Sequence, residues 1–270
     1  MSAEAEEVPL TDIAALLTKP YTLDGQIMVV SDKRLRVSQE GQSFDSFSCA
    51  PGWGSLYFTQ LTKQFYFVNH TKNGEVLLDL GCGSAELMER LWRNGKRCSY
   101  IGIDYSKKSL KRREEIIAKA SNIVKAILVQ DDVAAGICLA SNSVDKVVFS
   151  EVVEHFNKED GAKVLMEILR VLKPGGTLYL TTSKGVEKPL SGHLHEYEFE
   201  EIWETVAQVN FVIEKTYGLY CPDESCFSEA ELAVFQEMKE FYTPRLMRTV
   251  LSLKHPKESR SWLIVASKPE

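Results

Sequence analysis

The chain has 270 residues, a formal net charge of −6 and 44% hydrophobic side chains. That length holds one α/β domain with appendages or at most two small domains, with enough apolar material for a sizeable core. The acidic balance argues against a nucleic-acid or anionic-membrane surface, and no run approaches the roughly 18 uninterrupted apolar residues that a spanning helix requires.

Residues 1–10 carry three acids and no apolar segment, unlike a signal or transit peptide. A short amphipathic piece follows (Ile13, Leu16, Leu17), ended by Pro20. Gln26 to Val30 can form a strand, and an aromatic-rich stretch contains Trp53, Tyr57, Phe58, Phe65, Tyr66 and Phe67. The aromatic residues suit either packing of a helix on the core or a substrate platform. Residues 1–73 are expected to form an N-terminal extension or cap, and residues 74–270 the main domain.

Glu75 to Gly83 (Glu-Val-Leu-Leu-Asp-Leu-Gly-Cys-Gly) is the most informative stretch. An apolar strand, Val76 to Leu80, carries one acid, Asp79, and opens into a tight turn on Gly81 and Gly83. A helix pattern follows, with Leu87, Met88 and Leu91 on one face, ending at Asn94-Gly95. Strand, glycine turn and helix are the first half of a nucleotide-binding crossover unit. The dinucleotide fingerprint needs a third glycine where this chain has Glu86. Asp79 and Glu86 disfavour a diphosphate at that helix start and favour a cation, which points away from NAD and toward a cationic nucleoside.

A second strand, Ser99 to Asp104, ends in an acid at the usual place for a carboxylate gripping ribose hydroxyls. A third, Ala126 to Gln130, runs into Asp131-Asp132-Val133, and a fourth, Lys146 to Ser150, into Glu151-Val152-Val153-Glu154-His155. A helix-like segment through Val164, Leu165, Ile168, Leu169 and Leu172 closes at Lys173-Pro174-Gly175-Gly176. A fifth strand covers Thr177 to Thr182, a sixth Phe211 to Tyr217 and a seventh Trp262 to Ser267. Strands alternating with helices give an α/β fold: a mostly parallel sheet with helices on both faces.

This ordered series of motifs resembles the class I S-adenosylmethionine-dependent methyltransferases. The matching segments are Asp79-Leu80-Gly81-Cys82-Gly83, Gly102-Ile103-Asp104, Gln130-Asp131-Asp132-Val133, Ser150 to His155 and Leu172 to Gly176. The resemblance implies a seven-stranded Rossmann-like sheet whose last strand runs antiparallel between the fifth and sixth. It implies S-adenosyl-L-methionine as cofactor. Asp79, Gly81, Cys82 and Gly83 would lie at its methionyl part, and Asp104 at the ribose. Tyr105 would lie along the adenine face, with Asp132 and the Val133 N–H at the adenine edge. Asp131 competes with Asp132 for that role, and Ser150 and Glu151 would form the floor between donor and acceptor.

Methyl transfer from a sulfonium needs a base only when the acceptor arrives protonated. Catalytic candidates are Glu151, His193 and His195, since the segment Ser191 to Tyr197 falls where the family places substrate-facing side chains. The imidazoles could equally pin that loop to the next helix. Glu151, Glu154 and His155 also resemble the metal-binding segment of small-RNA 2′-O-methyltransferases and ubiquinone-pathway O-methyltransferases. The same residues are common in members without metal, and no metal is expected here.

The six cysteines (Cys49, Cys82, Cys98, Cys138, Cys221, Cys226) lack metal-type spacing and read as reduced thiols of a cytoplasmic protein. Between strands six and seven, residues 218–261 are too long for a plain hairpin loop. A capping box at Ser228-Glu229-Ala230-Glu231 opens a helix there, Thr243-Pro244 breaks it, and Arg245 to Leu253 forms a second. This insertion is expected to act as a lid or to be a surface embellishment. Its basic residues (Arg245, Arg248, Lys254, Lys257, Arg260) would suit an anionic acceptor, whereas Lys107, Lys108, Lys111, Arg112 and Arg113 read as a solvated helix face. The leading expectation is transfer of a methyl group to O or N of a small molecule. The alternatives are a methyltransferase acting on RNA or protein and a non-catalytic donor-binding module.

Overall fold

The chain joins the sheet through the segment Gln26 to Val30, where the strand read from the sequence forms at Ile27–Val29. In a computed structural model that describes residues 11–31, 57–112, 114–184 and 192–270, Thr22–Asp24 (β1) and Ile27–Val29 (β2) form an antiparallel pair. The second of these lies parallel to a central strand of the main sheet. Trp53, Ser191 and Arg113, singled out above, lie outside the described residues.

The helix Tyr57–His70 (α1) follows, then Val76–Leu80 (β3), Glu86–Arg93 (α2) and Cys98–Asp104 (β4). Two short helices, Lys107–Lys111 (α3) and Glu114–Ala120 (α4), lead to Val124–Gln130 (β5), and Val144–Ser150 (β6) is next. Lys158–Val171 (α5), Leu172–Ser183 (β7), Phe199–Gln208 (α6) and Val212–Gly218 (β8) complete the crossover units. The insertion holds Glu229–Met238 (α7) and Pro244–Ser252 (α8), and Ser261–Ser267 (β9) ends the sheet.

Strand order is β1-β2-β5-β4-β3-β6-β7-β9-β8, nine strands rather than the seven expected. The difference is the β1–β2 pair: β2 lies within the segment Gln26 to Val30 read as a strand, whereas β1, three residues long, shows no period in the sequence. As expected, β9 runs antiparallel between β7 and β8. Every residue of β3 and β4 is buried, the mark of a parallel strand covered on both faces. The two-residue period sorts the side chains. Leu78, Leu80, Ile101 and Ile103 join the core under α5 and α6, and Leu77 and Tyr100 join the core under α1 and α2.

Local chemistry sets the helix ends. The Asn157 side chain caps α5 by accepting the Asp160 N–H at 2.9 Å. The capping box at Ser228 and Glu231 forms as read from the sequence. Thr243 caps α8, and Pro244 takes its first position, where no N–H is needed. At the root of the insertion a Cβ on Gly218 would collide with the Ser252 and His255 carbonyl oxygens and the Ser259 hydroxyl. Glycine is therefore required where the end of β8 meets the insertion. The α8 helix packs on α1.

Candidate functional site

The sheet reverses its order at β3, which has β4 on one side and β6 on the other. The carboxyl ends of β3 and β6 thus flank a topological switch point, where open α/β sheets bind ligands. The loop after β3 turns on two left-handed glycines, Gly81 at φ +74° and Gly83 at φ +54°. A Cβ on Gly81 would run into Val152, so the loops after β3 and β6 touch there. A Cβ on Gly83 would meet nothing within 4 Å, leaving that backbone open to a ligand. Gly81 and Cys82 donate their N–H groups to the Ile103 carbonyl at 2.8 and 3.1 Å, which fixes the loop against β4.

Asp104, at the end of β4, accepts the Gly83 N–H at 2.8 Å and the Ser106 N–H at 2.7 Å. Asp79 is buried on β3 and accepts the Tyr100 hydroxyl at 2.6 Å. Burial pushes its carboxyl up to about 7; the Tyr100 hydrogen bond opposes that shift, and the charge of Asp104 adds to it. Burial also raises the Cys82 thiol well above its ordinary value, so it behaves as a small packing group. Tyr105 is exposed.

After β5 the two neighbouring acids separate by environment. Asp131 is buried, pairs with Lys19 at 3.1 Å, and accepts the Asp132 N–H at 2.9 Å. Asp132 is half-buried and caps the turn at Val133–Ala135 through the Ala134 N–H at 3.0 Å. Asp131 thus faces inward, and Asp132 stands at the sheet edge.

The loop after β6 carries a polar network. Ser150 Oγ lies 2.8 Å from Thr181 Oγ1. Glu151 Oε1 accepts Thr181 Oγ1 at 2.9 Å and Lys63 Nζ at 3.1 Å, and Oε2 accepts Ser183 Oγ at 3.2 Å. Although burial opposes it, the Lys63 ammonium holds the Glu151 carboxyl below its ordinary value. Lys63 escaped the sequence reading. The signal for it is the stripe Thr59, Lys63, Phe67, one residue per helical turn on the buried face of α1.

Glu154, His155 and His193 come together: one candidate ligand atom from each lies within 4.8 Å of the others. Glu154 is buried, and that burial, with the charge of Glu151 beside it, raises its carboxyl well above the ordinary range. His155 Nδ1 lies 2.9 Å from the Gly192 carbonyl oxygen, and His193 Nδ1 lies 3.1 Å from Glu196. Glu151 is not one of the three and is bound to Lys63. His195 points elsewhere, with Nε2 on Glu201 at 3.0 Å and its ring against Tyr197. The Leu194 and His195 N–H groups donate to the Glu154 carbonyl, so the two loops are stitched together.

Comparison with known proteins bears on the fold. Residues 78–180 match a family model described as a methyltransferase domain. A probable S-adenosylmethionine-dependent methyltransferase of Mycolicibacterium smegmatis is 28% identical over 56% of this chain and 57% of its own length. A tRNA (carboxymethyluridine(34)-5-O)-methyltransferase of Arabidopsis thaliana is 28% identical over 49% of this chain and 30% of its own. The chain thus spans less than two thirds of either relative. Among solved structures, a methyltransferase bound to the Haloferax volcanii Trm112 methyltransferase activator shares the fold, with a TM-score of 0.54 at 18% identity over 79% of this chain and 90% of its own. Residues 78–180 thus match a methyltransferase domain, and the chain resembles S-adenosylmethionine-dependent methyltransferases in sequence and in fold.

The residues present fit that donor. The open backbone at Gly83 accommodates a ligand against the loop, and two buried carboxylates, Asp79 and Asp104, suit a cationic nucleoside better than a pyrophosphate.

Proposed function

We propose that the protein is an enzyme that transfers a methyl group from S-adenosyl-L-methionine to oxygen or nitrogen of a small-molecule acceptor. The observation that carries this reading is the convergence, at the β3–β6 switch point, of the glycine loop, Asp104 and the polar floor around Glu151. The donor brings a methyl group already activated by the sulfonium charge, so the protein's task is to bind, orient and exclude water.

In this reading Asp79, Gly81, Cys82 and Gly83 hold the methionyl end, and Asp104 takes the ribose hydroxyls. Tyr105 covers the adenine face, Asp132 and the Val133 N–H meet the adenine edge, and Ser150 supports the floor. Of the candidate bases, His193 is preferred to His195, whose Nε2 is already on Glu201. Residues 1–73 and 218–261 are read as a cap and a lid beside this site, since α1 and α8 pack together and α1 reaches Glu151. Cytoplasmic placement rests on the free thiols. Among the described residues no helix is long and apolar enough to cross a membrane.

The tRNA-modifying relative supports a second reading, an RNA acceptor; the formal charge of −6 weighs against it. Donor binding measured by calorimetry, then labelled-methyl transfer to a metabolite panel with RNA and protein extracts alongside, tests both. Label in RNA alone favours the second reading, and absence of donor binding overturns both.

A further inference from the structure

Lys63 is a buried lysine with a single carboxylate partner among the described residues. Its side chain is 3% exposed, with Glu151 Oε1 at 3.1 Å and Thr181 Oγ1 at 3.5 Å. A buried ammonium survives only when it is paired, because desolvation of an isolated charge outweighs any packing gain. The pairing joins α1 to the carboxyl end of β6, and Glu151 is held from several directions. Its backbone sits in the left-handed region at φ +55°, unusual for a residue with a side chain. Its N–H donates to the Thr181 carbonyl at 2.9 Å. Such strain persists only where the surroundings fix it, and it concentrates at functional sites.

The carboxylate is partly open. The Glu151 side chain is 34% exposed, and its next neighbour, Val152, fills the space a Gly81 Cβ would need. Glu151 therefore stands one residue from the donor loop. A carboxylate offers about four acceptor positions; among the described residues Lys63, Thr181 and Ser183 take three of them, and the remaining one, on Oε2, can serve a ligand. The charged groups acting on it from the surrounding elements are Lys63 on α1 and Glu154 in its own loop.

We propose that Lys63 is a positioning residue: its ammonium fixes the ionised Glu151 carboxylate as a hydrogen-bond acceptor, so that the acceptor group brought to the donor methyl is a hydrogen-bond donor, a hydroxyl or an amine, and not a carboxylate or phosphate. Glu151 then orients the O–H or N–H but, held ionised, is a weak base. As the S–CH3 bond breaks and the new C–O or C–N bond forms, S-adenosylhomocysteine leaves and the displaced proton passes to the His193 imidazole read above as the base. The inference rests on the methyl-transfer reading and deepens it.

The test is nuclear magnetic resonance of protein with carbon-13-labelled glutamate carboxylates, the Glu151 signal being assigned by its loss in Glu151→Gln. In Lys63→Met the Glu151 midpoint is expected to rise by about one pH unit or more, and Lys63→Arg should restore it. With S-adenosylhomocysteine bound, ethanolamine should perturb the Glu151 signal and propionate should not, and Lys63→Met should weaken ethanolamine binding about tenfold, the loss of one charge-assisted contact. An unchanged midpoint in Lys63→Met overturns the inference. So does propionate binding as well as ethanolamine, or a Glu151 signal indifferent to ethanolamine. Should Lys63→Met fail to fold, the charge-balanced pair Lys63→Met with Glu151→Gln takes its place: it should bind S-adenosylhomocysteine and lose ethanolamine, and full retention of ethanolamine overturns the proposal. Failure of the unaltered protein to bind S-adenosylhomocysteine strikes the methyl-transfer reading instead, while the Glu151 titration still reports on Lys63.

Discussion

The Asp104 carboxylate and the Gly83 N–H, 21 residues apart in the chain, meet at 2.8 Å. Together with the Ser106 N–H at 2.7 Å, this bond makes Asp104 the latch between the glycine turn and the loop after β4, as well as the carboxylate proposed for the ribose. Asp104→Ala removes both functions. Charge-assisted hydrogen bonds of roughly 1.5–3 kcal/mol each disappear, so S-adenosylmethionine affinity is expected to fall at least tenfold by calorimetry. Unchanged affinity would remove Asp104 from the donor site.

Asp79 gives donor binding a pH dependence. Burial raises its carboxyl to about 7 in the donor-free protein, so it is largely neutral below that pH. A cationic ammonium placed beside it favours the ionised form, and binding then releases a proton. Affinity should rise with pH from about 6 to about 8, the window in which the free protein titrates. The donor-free protein runs the other way. The folded state holds its proton up to about 7 while an unfolded aspartate loses it near 3.9, so this group's contribution to stability declines as pH rises between those values. Calorimetry across the range with Asp79→Asn as control checks the first claim: a flat profile in the unaltered protein refutes it.

Much of the sheet and the donor loop could be read from the sequence because each rests on local pattern. Val76–Leu80 and Cys98–Asp104 are apolar runs closed by an acid or a glycine turn, and their burial on both faces makes the run continuous. The capping box at Ser228 is likewise contained in four residues. What escaped depends on distant partners. Gln26 to Val30 reads as a strand, but that it joins the main sheet depends on its pairing with β5. Lys63 reads as an ordinary surface cation until α1 folds it against Glu151, 88 residues away. His193 and His195 look alike in sequence, and only the packing of α6 and the loop after β6 separates them.

Metal dependence turns on Glu154, His155 and His193. Burial keeps the Glu154 carboxyl well above its usual range, and the carboxylate that would complete the set, Glu151, is bound to Lys63. Manganese titration followed by electron paramagnetic resonance is expected to show no stoichiometric site, and transfer activity should persist in a chelator. One equivalent of bound manganese that disappears in His193→Ala would assign these three residues as ligands.

The basic residues of the insertion answer a different question from the one their sequence raised. Arg245 and Arg248 suit an anionic acceptor in sequence if the insertion faces one, but both are engaged within the insertion. The Arg245 guanidinium lies over the Tyr220 ring at 4.4 Å, and Arg248 donates to the Pro222 carbonyl at 2.8 Å and reaches Glu224 at 3.4 Å. They fasten α8 to the segment leaving β8, and α8 in turn rests on α1. Arg245→Ala should therefore act on stability. A cation–π contact of this kind contributes about 0.5–2 kcal/mol, and for a domain of this size each kcal/mol shifts Tm by roughly 2–4 °C. A fall of a few degrees in a melting experiment is expected, with donor affinity unchanged within about threefold. The effect should be lost when Tyr220→Leu is already present, because the two side chains then no longer interact. An unchanged Tm together with a raised acceptor KM would return Arg245 to the acceptor side of the site.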